Sequence, residues 1–110
     1  MSDARFDVGA MLKQAQELSE KLRSAQADLR HRTVSATVGG GMVEVTANGA
    51  LEIVRVRIDP QAVDPRDVEM LQDLVRAAVN QALARAREMA AEAMRGVAGV
   101  PLPFPLGGGA

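Results

Sequence analysis

Cysteine, tryptophan and tyrosine are all missing from this 110-residue chain. Without cysteine there is no disulfide framework, no thiolate nucleophile and no zinc finger or ribbon, a composition that fits a reducing compartment. Without tryptophan and tyrosine, and with Phe6 and Phe104 as the only phenylalanines, both near the ends, the aromatic platforms on which single-stranded nucleic acids stack cannot be built. That argues against a single-strand or RNA-recognition module. Long hydrophobic runs are lacking too. Nowhere do about eighteen apolar residues follow one another without a charge, and Met1-Ser2-Asp3-Ala4-Arg5-Phe6-Asp7 lacks the apolar run of a signal peptide. The expectation is a cytoplasmic protein with no membrane partner.

Reactive side chains are equally scarce. The serines are Ser2, Ser19, Ser24 and Ser35, none in a Gly-x-Ser-x-Gly elbow, and there is one histidine. Asp28 stands one turn before His31 and could orient its imidazole, but a histidine complementing the dipole at a helix C-terminus explains the same residues. One histidine cannot supply a zinc site, and Asp64-x-x-Asp67-x-Glu69 lacks the spacing and central glycine of an EF-hand. Neither glycine run continues into Gly-Lys-Ser/Thr or forms Gly-x-Gly-x-x-Gly before a helix. The expectation is therefore a protein without catalysis, cofactor, metal or small-molecule substrate.

What is present is a single domain's worth of chain with a thin core. Apolar residues make up 47%, but 19 of them are alanine, which points to burial of some apolar surface against a second copy. From Ala10 to Val38 no glycine or proline intervenes, and Met11, Ala15, Leu18, Leu22, Ala25 and Leu29 form a heptad seam, predicting a helix over about 9–30. Glu17 and Lys21 are spaced as an i,i+4 pair. The period then changes to two. Val34, Ala36 and Val38 alternate with Thr33, Ser35 and Thr37, and Gly39-Gly40-Gly41 supplies a turn that tolerates positive φ. Val43, Val45 and Ala47 alternate with Met42, Glu44 and Thr46. Asn48-Gly49 reads as a type I′ hairpin turn, and the third strand has Val54, Val56 and Ile58 on one face and Ile53, Arg55 and Arg57 on the other.

Asp64 reads as the N-cap of a second long helix, with Pro65 in its first turn and Asp67 near the positive end of its dipole. Its alanine-rich second half is expected to project beyond the sheet against another helix, with Gly96 and Gly99 ending it. The alternation of proline and apolar residues from Val100 to Leu106, followed by Gly107-Gly108-Gly109, reads as an extended, mobile tail. The organisation expected is a flexible segment over 1–8, one α+β domain over 9–95 and a Pro/Gly-rich disordered tail over 96–110. The domain comprises a long N-terminal helix, a three-stranded antiparallel meander and a long C-terminal helix.

A net charge of −1 and a pI near 5.8 conceal a segregated surface. Asp59, Asp64, Asp67, Glu69 and Asp73 face only Arg66 in their stretch, whereas Arg76, Arg85, Arg87 and Arg95 outnumber Glu88 and Glu92 in the next. Arg23 and Arg30, two helical turns apart, share a stripe with Gln16, flanked by Lys13 and Lys21. Presented twice by a dimer, such groups could straddle a duplex and contact phosphates. Glu20 before Arg23 and Glu92 before Arg95 leave open the alternative that these charges only solvate their helices.

The order of elements resembles the YbaB/EbfC family of bacterial nucleoid-associated proteins. The resemblance, running from about Met11 to the end, is carried by Met11-Leu12-Lys13-Gln14-Ala15-Gln16, Gly39-Gly40-Gly41-Met42-Val43-Glu44-Val45-Thr46-Ala47-Asn48-Gly49, Val56-Arg57-Ile58-Asp59-Pro60 and Leu71-Gln72-Asp73-Leu74-Val75-Arg76-Ala77-Ala78-Val79-Asn80-Gln81-Ala82. It implies a tweezer-like homodimer whose helices project from a joined β core and bind duplex DNA with little sequence specificity, with roles in the nucleoid and in gene expression. Lys13 matches the lysine of the family's Lys-Gln-Ala-Gln start and Asn80 its Ala-Ala-x-Asn stretch. Glu44 stands where the family often has lysine, and Gln81 where an acid is common. The helices are thus the favoured contact, through Lys13, Lys21, Arg23, Arg30, Arg76, Arg85, Arg87 and Arg95, with Arg55 and Arg57 on the sheet as lesser candidates. A rival reading is a dimeric scaffold in DNA repair or replication that binds a protein through its helical arms or Pro-rich tail.

Overall fold

A computed structural model describes residues 7–98. Helix α1 spans Val8–His31, close to the range its seam predicts. Asp7 starts it, its carboxylate accepting from the Ala10 backbone N–H at 3.0 Å, and Arg30 and His31 complement the dipole at its other end. Arg32 turns extended, and the β-branched run that follows forms β1, Thr33–Val38. Strands β2, Val43–Asn48, and β3, Ile53–Ile58, complete an antiparallel sheet of order β1-β2-β3. Gly39, Gly40 and Gly41 all have positive φ in the β1–β2 turn. A short 3-10 turn at Pro60–Ala62, started by the Asp59 carboxylate, leads towards helix α2, Val68–Ala98.

The core is small because its parts are small. Ala78, Ala82 and Ala86 lie along one stripe of α2 and are buried against Ala36 of β1 and Val43, Val45 and Ala47 of β2. Alanine lets the helix approach the sheet closely but buries little area per residue. Val43 and Val45 are the largest fully buried side chains among the described residues. Helix α2 covers β1 and β2 only, so every residue of β3 is exposed.

Several expectations are corrected. Asn48-Gly49 does not form a type I′ turn: the positive φ falls instead on Leu51, and the connection runs through Gly49 to Glu52. The reason is that Gly49 is taken up against the end of α1. Asp64 does not cap α2. Its carboxylate accepts from the Arg66 backbone N–H in a separate turn, and Asp67 is the residue that accepts from Met70, three positions on, at 3.1 Å. Ile53 does not share the face of Arg55 and Arg57. The register shifts between Thr46 and Ala47, pairing Ala47 with Ile53 and leaving Val54 as the extra residue of a bulge, so Ile53 joins Val56 and Ile58 on the side of α2. No ion pair joins Glu17 to Lys21. Helix α2 passes through Gly96 to Ala98. The readings made for residues 1–6 and for the tail from Gly99 onward lie outside the described residues.

Candidate nucleic-acid interface

The path of the chain builds an arm. Helix α2 starts beside the glycine turn, where a β-carbon at Gly39 would lie 3.0 Å from Leu74 Cδ2, and crosses the sheet to reach Ser35 at Arg85. It therefore leaves the sheet at the end where α1 enters. Beyond that edge the two helices run antiparallel, with Lys21, Ser24, Ala25 and Asp28 of α1 lining one shallow cleft with Ala93, Gly96 and Val97 of α2. At about 1.5 Å per residue, α1 is roughly 36 Å long, and only Leu29, at its base, is buried.

The arm is fixed at its root by the β2–β3 connection. Gly49 donates its N–H to the carbonyls of Leu29 and Arg32, at 2.8 and 3.1 Å. The buried Asn48 carboxamide donates to the Arg30 carbonyl at 3.3 Å and to the Glu52 carboxylate at 2.8 Å, while its oxygen accepts from the Ala50 and Glu52 backbone N–H groups, both at 3.0 Å. Carbonyls left over at the end of α1 are thus satisfied by the loop. Sequence reasoning missed this anchor because Asn-Gly between strands is a strong turn signal in its own right.

The candidate cations separate into two groups. Among the described residues, Lys13, Lys21, Arg23 and Arg30 on α1, Arg55 on β3 and Arg87 on α2 form no ion pair. The rest are engaged. Arg57 pairs with Glu44 across the open sheet face at 3.3 Å, Arg76 with Asp73 at 3.2 Å and Arg95 with Glu92 at 3.8 Å. Arg85 donates to the Ser35 carbonyl on the outer edge of β1, closing an edge that would otherwise offer that acceptor to another strand. Arg32, exposed at the root of the arm and also without an ion pair among the described residues, was overlooked. Its signal was the contiguous Arg30-His31-Arg32.

Position around the helix strengthens the α1 group. At about 100° per residue, the Gln16, Arg23 and Arg30 stripe lies roughly 100° or more from Glu17 and Asp28, on a side where the nearest acid is Glu20. No ion pair forms between Glu20 and Arg23. The acids after β3, by contrast, are consumed locally. Asp59 starts the 3-10 turn, Asp64 bonds and pairs with Arg66, Asp67 caps α2 and Asp73 holds Arg76. The open face of the sheet is polar, with Ser35 and Thr46 hydroxyls 2.8 Å apart. Among the described residues no group of three or more His, Asp or Glu side chains is placed to hold a metal ion, and no helix is long and apolar enough to cross a membrane.

An α+β domain with a two-helix arm carrying uncommitted cations defines a class of polyanion-binding module. Residues 4–100 match the YbaB/EbfC DNA-binding family, and the chain belongs to that family. It is 51% identical over 94 residues to a nucleoid-associated protein of Thermoanaerobacter sp. strain X514, covering 86% of this chain and 85% of that one. It is 50% identical over 100 residues to a nucleoid-associated protein of Thermodesulfovibrio yellowstonii, covering 91% and 85%. The fold is similar to that of uncharacterized protein HP0035 from Helicobacter pylori, with a TM-score of 0.76 at 21% identity over 86% of this chain and 99% of that one.

Proposed function

We propose that this protein is a nucleoid-associated protein that binds duplex DNA with little sequence specificity, through phosphate contacts made by its α1 arm. The observation that carries this reading is the set of exposed cations on α1, Lys13, Lys21, Arg23 and Arg30, none of them in an ion pair with a described residue. Arginines and lysines on a straight helix with no aromatic between them meet a phosphate backbone and release its counterions, but do not read bases. Arg32 and Arg87 extend the same set. Arg57, Arg76, Arg85 and Arg95 have partners within the protein and are secondary. Family membership and the names of the relatives agree with DNA as the partner and the nucleoid, within the cytoplasm, as the place.

The protein acts as a homodimer joined through β3. This strand is a sheet edge with unpaired backbone groups, and Ile53, Val54, Val56 and Ile58 are 36–50% exposed along it. Such an edge is a template for pairing with a like strand. Two copies joined there carry two arms on one β core, which hold or bridge a duplex, alter its path and so influence nucleoid organisation and gene expression. Anisotropy of a labelled random-sequence duplex, titrated with the parent protein and with Arg23→Glu/Arg30→Glu, tests the arm. The charge reversal is expected to abolish most of the affinity, and unchanged affinity overturns α1 as the contact.

A further inference from the structure

The seam of α1 is only half used. Near the sheet Leu29 is buried and Ala25 half-buried, facing α2, but towards the free end Leu12 is 59% exposed, Met11 57% and Val8 60%. Helix α2 stops at Ala98, with Val97 beside Lys21, Ser24 and Ala25. The direction in which it leaves points along α1 towards Leu18, Ala15, Leu12 and Val8. We propose that the segment Gly99–Leu106 continues from α2 along the uncovered seam of α1 in the same protomer, setting Val100, Leu102, Phe104 and Leu106 against Leu18, Ala15, Leu12, Met11 and Val8.

Length, chemistry and entropy support this occupant. From Leu22 to Val8 the seam is about 21 Å long at 1.5 Å per residue, and eight residues of extended, proline-rich chain reach about 25 Å at 3.1 Å each. Alternate residues of an extended chain share one side, so Val100, Leu102, Phe104 and Leu106 form one apolar row matched to the helix's apolar row. Pro101, Pro103 and Pro105 hold their own φ and bias each preceding residue towards extended backbone. The segment thus loses little conformational freedom on docking. Neither the seam nor this row carries a charge that docking would bury, and Lys13, Arg23 and Arg30 stay outside the contact. The heptad pattern and the proline-rich tail then answer one another, and α1 is stiffened along its length.

The chain has no tryptophan, so Phe104→Trp places a single reporter on the tail. The expected result is emission blue-shifted from that of a free indole, shielded from acrylamide and independent of protein concentration. Adding Met11→Glu/Leu12→Glu should return emission and quenching to the solvent-exposed values, with circular dichroism confirming that α1 remains helical. These positions are exposed near the helix's free end, so the change does not disturb the sheet. Solvent-like emission in the Phe104→Trp protein overturns the proposal. So does a blue shift that survives the two glutamates, or one that disappears on dilution, which assigns the contact to a second copy.

Discussion

A β-carbon on Gly49 would lie 2.5 Å from Leu29 Cδ2 and 2.9 Å from the Leu29 carbonyl oxygen, the same oxygen that accepts the Gly49 backbone N–H at 2.8 Å. Glycine is required here for close approach, and its negative-space contact is where the β2–β3 connection grips the arm. Gly49→Ala is expected to destabilise the fold by about 1–3 kcal/mol, the usual range for forcing extra volume into a packed site. Urea denaturation checks it, and an unchanged midpoint argues that the root of the arm yields.

Asn48 should be costlier to remove than its size suggests. Asn48→Ala leaves the Arg30 carbonyl and the Ala50 and Glu52 backbone N–H groups without the partner that the buried carboxamide supplies. An orphaned buried polar group costs about 1–3 kcal/mol, so a loss at the upper end of that range or beyond is expected by the same measurement.

Leu51 runs the other way. It holds φ at +64° without being glycine, and its side chain is 45% exposed. A left-handed conformation costs an L-residue about 1–2 kcal/mol. The greater freedom of glycine in the unfolded chain offsets part of that relief. Leu51→Gly is expected to raise stability by up to about 1 kcal/mol, read as a higher denaturation midpoint.

Arg85 and Arg23 test how the cations divide. Arg85→Gln removes the donor to the Ser35 carbonyl and is expected to lower stability by about 1 kcal/mol with duplex affinity nearly retained. Arg23→Gln should leave stability within about 0.5 kcal/mol and weaken duplex binding. A reversal of these two outcomes would mean that the engaged arginine, not the uncommitted one, meets the DNA.

The β3 edge makes its own prediction. Val56 is 46% exposed and pairs with Val45 in the middle of the strand. Val56→Asp is expected to reduce the sedimenting mass from about twice 11.6 kDa to 11.6 kDa. A parent protein that already sediments as the monomer contradicts the joined β core.

Sequence pattern reached the architecture because each element carries a periodicity of its own. The seam from Met11 to Leu29 and the alternation in Val43, Val45 and Ala47 need no tertiary context to be read. The errors lie where two elements meet. Asn48-Gly49 looks like a local turn, yet its geometry is set by the end of a helix seventeen residues earlier in the chain. Ile53 lies on the unexpected face because of one extra residue in β3, which alternation alone does not reveal. At the candidate interface the sequence listed the cations but not their engagement. That Arg85 reaches Ser35 while Arg23 stays free of Glu20 depends on folded distances.

The salt dependence of duplex affinity tests the central claim most directly. Anisotropy of a random-sequence duplex, with a single strand as the control, is measured at several salt concentrations. If about six phosphates are neutralised, affinity should fall roughly a thousandfold between about 50 and 200 mM salt, with the duplex preferred because no aromatic side chain offers a stacking platform. No binding at low salt, or an affinity indifferent to salt, contradicts an arm that works by phosphate contact.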